Sequence, residues 1–154
     1  MKFVGKTDIN ATLNATFAAF ADFESFERRA LRAGAEITRT DDLSMPGPGM
    51  MWDARFAYRG KTRKIAIELV DYDPPNRLIF SANTEGFESE ILVDLIPLSS
   101  QQTRASVSFD VHAKSLAAKL LLQSARLTKG AINKRFRRRL ARFGKDLESR
   151  IQSA

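Results

Sequence analysis

Residues 115–152 constrain this chain more than any other stretch. Apolar side chains recur there at Leu116, Leu120, Ile132, Phe136, Leu140, Phe143, Leu147 and Ile151, at spacings built from threes and fours. That spacing draws one continuous apolar stripe along a helix. A single helix over all of these positions would run about 57 Å at ~1.5 Å per residue. A rod of that length does not fit inside a chain of 154 residues. It has to lie across a sheet.

The rest of the chain supplies that sheet. Lys2–Ile9 alternates, with Phe3, Thr7 and Ile9 opposing Lys2, Lys6 and Asp8. Two short helical segments follow, one carrying Leu13, Phe17 and Phe20, the other carrying Phe23, Phe26 and Ala30 and stopping at Gly34. Ala35–Thr40 is a weak strand. Beyond the breaker Pro46-Gly47-Pro48-Gly49, five more alternating runs appear. Their inward rows are Met50, Trp52, Ala54, Phe56 and Tyr58; Ile65, Ile67 and Leu69; Leu78, Phe80 and Ala82; Phe87, Ile91, Val93 and Leu95; and Ala105, Val107, Phe109 and Val111. Short turns at Arg59-Gly60, Asp73–Asn76, Glu85-Gly86 and Ser99–Gln102 join them, so neighbouring strands are antiparallel. One-sided alternation predicts a sheet with one face covered and one wet. The order is strand, two short helices, six strands and one long helix: a single α+β domain over residues 1–154.

Charge is placed as unevenly as the apolar residues. The chain carries a net +7, yet residues 115–154 hold eleven Lys or Arg against Asp146 and Glu148 alone. The remaining residues are slightly acidic. The chain contains no cysteine, which excludes disulfides, thiol catalysis and thiolate metal sites. Met1–Lys6 lacks the apolar core of a signal peptide, and no window approaches the ~18 apolar residues of a spanning helix. A cytoplasmic protein is the expectation.

Local sequence also resembles a known group. Ile9 followed by Leu13, Phe17 and Phe20-Ala21-Asp22 resembles the strand-to-helix entry of the START and Bet v 1-like superfamily, in particular its polyketide cyclase/dehydrase and lipid-transport members. Gly47-Pro48-Gly49-Met50-Met51-Trp52 is similar to that group's glycine-rich turn before an aromatic strand. Val70–Leu78 resembles its strand-turn-strand signature, and Leu95-Ile96-Pro97 with Thr103 its penultimate hairpin. The resemblance implies a helix-grip fold: a seven-stranded curved antiparallel sheet wrapped around a long C-terminal helix, with two short helices after the first strand. It also implies a cavity between helix and sheet for a small apolar ligand such as a lipid, quinone or polyketide. It carries no universal catalytic residue.

Strand parity tests for chemistry inside such a cavity. Asp8, Asp53, Glu68, Glu88, Glu90, Asp94, Asp110 and the one histidine, His112, share the polar parity. Asp71 shares parity with Ile67 and Leu69 but sits where its strand ends. No catalytic residue, metal site or cofactor is assigned on this basis. Inward polar groups are few: Tyr58, Thr84, Ser89 and Thr103. The ligand-lining candidates are Trp52, Phe56, Tyr58, Ile67, Phe80, Phe87 and Phe109 from the sheet. Leu120, Ser124, Leu127 and Thr128 are expected to roof them, since small residues in mid-helix leave either a close approach or a void. Lys134, Arg135, Arg137, Arg138, Arg139 and Arg142 form the sharpest basic cluster. They are either a solvated outer face or a surface for an anionic partner, namely RNA, a ribosome or a membrane. Three functions follow: a non-catalytic carrier, a cyclase/dehydrase-type enzyme, or a docking module.

Overall fold

The computed structural model describes residues 1–153. One seven-stranded antiparallel sheet has the order β1-β7-β6-β5-β4-β3-β2. Its strands are β1 (Lys2–Ile9), β2 (Glu36–Arg39), β3 (Met51–Tyr58), β4 (Lys61–Asp73), β5 (Arg77–Thr84), β6 (Phe87–Ser99) and β7 (Gln102–Ala113). The helices are α1 (Leu13–Phe20), α2 (Phe23–Arg32), α3 (Leu116–Arg126) and α4 (Lys129–Ser153). This is the α+β helix-grip arrangement. No helix among the described residues is long and apolar enough to cross a membrane.

The local causes are visible in the residues. Thr12, Asp22 and Ser115 each turn a side-chain oxygen back onto a backbone N–H and cap α1, α2 and α3. The hairpin between β3 and β4 places both Arg59 and Gly60 at positive φ, 51° and 73°, the geometry a two-residue hairpin needs to match strand twist. The alternating rows bury one face: Phe3, Ile9, Trp52, Leu69, Leu78, Val93, Leu95, Ala105 and Val107 are all in the core.

A close approach fixes α4 to β1. A Cβ on Gly144 would stand 2.5 Å from Thr7 Oγ1, and one on Gly5 would stand 2.9 Å from Leu140. Glycine on each element therefore lets helix and strand meet backbone to side chain. Leu140 and Leu147 are buried below, with Phe136, Phe143 and Ile151 packed beside them. Arg150 Nη1 donates to Ser25 Oγ at 2.8 Å and ties α4 to α2.

The single helix expected over 115–152 is two. The chain leaves α3 at Arg126, and at Leu127 and Thr128 the backbone N–H groups bond three residues back, to Ser124 and Ala125. Length explains the division. The longest strands have 13 residues and span about 43 Å at ~3.3 Å each. The 25 residues of α4 span about 38 Å and fit, whereas a ~57 Å rod would overshoot the sheet. Accordingly Leu116 and Leu120 do not continue the buried stripe, and α3 packs against β7 with Ala118 buried beside Gly86 of the β5–β6 turn.

A second correction concerns Asp71. The β4–β5 register shifts between Leu69 and Asp71, so that Leu69 pairs with Phe80 but Tyr72 pairs with Leu78. The extra residue exchanges the faces beyond it. Tyr72 turns inward against Phe17, with ring centroids 5.6 Å apart. Asp71 turns outward and pairs with Arg77 at 2.9 Å.

Candidate functional site

Between α4, the two short helices and the sheet lies a cavity of about 430 Å³. Phe20 of α1 and Phe23 and Phe26 of α2 close one side, with Leu140 and Phe143 of α4. The sheet contributes Ile37, Trp52, Ile67, Leu78, Phe80, Ala82, Ile91, Val93 and Val107. The aromatic rings brace one another. Phe23 lies 5.5 Å from Trp52 and edge-on to Phe80 at 6.1 Å, while Phe143 lies 5.5 Å from Phe20 and 5.9 Å from Phe26. Rings at these separations attract one another beyond the area they bury.

One ionisable side chain enters this wall. Glu27 of α2 lines the cavity, and its Oε1 accepts the indole N–H of Trp52 at 2.8 Å. Its second oxygen is left for a donor in solvent or in a ligand. The Arg39 guanidinium sits 5.9 Å from the centroid of the Trp52 ring. Arg39 is fixed by a two-pronged bond to Asp41, 2.6 Å from Nε and 2.8 Å from Nη2. Asp41 also accepts the backbone N–H groups of Leu43 and Met51. The Arg39 guanidinium, with these two N–H groups, holds the Asp41 carboxyl well below the usual carboxylate range. The Asp41 bond in turn raises Arg39. The loop between β2 and β3 is thus clasped beside Trp52.

Of the sheet residues expected to line a cavity, Trp52, Ile67 and Phe80 do so. Phe56, Phe87 and Phe109 share the same sheet face but lie half-buried beyond its wall, toward the β5–β6 turn. Tyr58 is 53% exposed at the end of β3, with Arg59 over its ring. The roof is not Leu120, Ser124, Leu127 and Thr128, which are exposed on α3 and its joint to α4; Leu140 and Phe143 take that place. Thr103 and Ser89 point inward as expected, yet both hydroxyls are spent on backbone carbonyls, those of Ala11 and Ala82. Lys134, Arg135, Arg137, Arg138, Arg139 and Arg142 are all exposed on α4.

Leu78, Ala82, Ile91, Val93, Val107, Leu140 and Phe143 were read as inward-facing but not as lining residues, and Phe20, Phe23, Phe26, Glu27 and Ile37 were missed as parts of the wall. A search by strand parity looks for acids on strands alone, and this carboxylate comes from a helix. The signal was present: Phe23 and Glu27 are four apart, so a helix that turns Phe23 inward turns Glu27 toward the same wall.

No family model and no curated relative matches the chain. Solved structures do share its fold. The Zhui aromatase/cyclase from Streptomyces sp. R1128 superposes with a TM-score of 0.66 at 8% identity, covering 99% of this chain and 93% of its own. Ara h 8.0201 gives 0.65 at 16% identity over 100% and 99%. A START superfamily protein from Mycobacterium smegmatis gives 0.57 at 13% over 90% and 98%. The chain therefore has the START-like, Bet v 1-like fold. These likenesses say nothing of the cationic helix.

Proposed function

We propose that this chain is a non-catalytic, cytoplasmic carrier or sensor of a small apolar molecule held between α4 and the sheet. The cavity carries this reading: about 430 Å³ walled by hydrocarbon and aromatic rings, with Glu27 as its one ionisable group. Ligand pockets have this size and this composition, apolar with a few placed polar atoms. Trp52, Ile67 and Phe80 would contact the ligand directly, while Phe56, Phe87 and Phe109 would extend the same face for a longer one. The free carboxylate oxygen of Glu27 favours a ligand with a hydroxyl or amine donor, and disfavours a bare carboxylate by like-charge repulsion. Native mass spectrometry of the freshly purified chain, followed by organic extraction, tests this. A co-purifying apolar molecule of one-to-one stoichiometry supports it.

A second reading rests on Glu27 alone. A carboxylate beside a bound molecule is placed to exchange a proton with it, and a fold of this kind carries an aromatase/cyclase in Streptomyces. Once a ligand is known, Glu27→Gln separates the two. A carrier keeps binding and has no turnover to lose; an enzyme keeps binding and loses turnover.

A further inference from the structure

Three leucines of α3, and a fourth just past its end, stand exposed. Leu116, Leu120, Leu121 and Leu127 are 75, 56, 62 and 89% exposed. Ala118, Leu122 and Ala125 take the opposite side and face the protein. At 100° per residue, Leu116, Leu120 and Leu127 stand in one line along the outer face. Lys119 and Arg126 lie together along one side of that line, and Lys129, Lys134 and Arg135 continue past it onto α4. From Lys114 to Lys145 the sequence contains no Asp or Glu. Among the described residues, none of the Lys or Arg side chains in that span is in an ion pair.

We propose that α3 and the first half of α4 dock on an anionic bilayer surface, the leucines entering the headgroup boundary and the cations meeting lipid phosphates. An aliphatic ridge rimmed by unpaired cations is the pattern of a helix that lies in that interface. Charge argues against a second copy of the chain, since apposed ridges would bring Lys119, Arg126 and Lys129 of both copies together with no acid to answer them. Nucleic acid explains the cations but not the leucines, and α3 offers no aromatic ring for base stacking. The proposal stands on these helices alone and is independent of what the cavity holds.

The test is co-sedimentation of the full chain with vesicles of phosphatidylcholine alone or with phosphatidylglycerol added. Binding is expected only to the anionic vesicles and is expected to weaken as salt rises. Leu120→Ser with Leu127→Ser, at exposed positions, should leave the melting temperature unchanged yet lower vesicle affinity by about tenfold or more. Arg135→Gln with Arg138→Gln should lower it comparably. Vesicle binding indifferent to the leucine changes, or no vesicle binding at all, overturns the proposal. So does sedimentation showing a dimer that those changes dissociate, or RNA capture that they leave intact with no vesicle binding.

Discussion

Trp52 donates its indole N–H to Glu27 Oε1 across 2.8 Å, joining the sheet to α2 at the cavity wall. Trp52 is buried, so the N–H has no easy replacement partner. Glu27→Leu strands that donor and should cost about 1–3 kcal/mol, whereas Glu27→Gln keeps an acceptor in place and should cost less than about 1 kcal/mol. Urea unfolding followed by the fluorescence of Trp52, the chain's one tryptophan, reads both.

Gly144 tests the seat of α4 on β1. In an open helix Gly→Ala stabilises by about 1 kcal/mol. Here the new Cβ meets Thr7 Oγ1 and Cγ2, so Gly144→Ala should instead destabilise by about 1–3 kcal/mol. Adding Thr7→Ala removes the two nearest atoms and should restore part of the loss. Melting curves of the three variants check this coupling.

The strands were legible because their rows alternate cleanly; Trp52, Ile67 and Phe80 could be pointed inward from parity alone. Parity failed where a bulge intervened, as between Leu69 and Asp71, since an unpaired residue leaves no compositional mark. The α3–α4 division was hidden for a different reason. Leu120 and Ile132 are 12 residues apart, a spacing that divides into threes and fours yet turns about 120° around a helix, so the stripe already breaks where α3 gives way to α4, and counting spacings alone conceals it. Glu27 was hidden because its partner, the Trp52 N–H, is distant in sequence and becomes a neighbour only on folding.

Paired leucine substitutions measure which helix covers the sheet. Leu147 is fully buried under α4, and Leu147→Ala should cost about 2–5 kcal/mol. Leu127→Ala, at the exposed joint, should change stability by less than about 0.5 kcal/mol. Equal costs at both sites would mean that α3 is packed too.

Acid should open the β2–β3 clasp late. Asp41 is harder to protonate in the folded chain than in the unfolded one, chiefly because of the Arg39 bond. The unfolded state therefore takes up its proton first as pH falls. Stability from this site is whole above the ordinary Asp range, drains below about pH 4, and is gone once pH passes the lower folded value. Trp52 fluorescence, sensitive to the Arg39 guanidinium beside it, should hold steady from pH 7 to about pH 4. Asp41→Asn should change the pH 7 spectrum and flatten its acid transition.

Titration of the full chain with the neutral probe N-phenylnaphthylamine tests the central claim, that the space under α4 accepts an apolar guest. Saturable one-to-one binding with quenching of Trp52 is expected, unchanged in Tyr58→Phe and abolished in Ala82→Phe, which fills the cavity from β5. Absence of saturable binding, or binding that Ala82→Phe leaves intact in a folded chain, would contradict it.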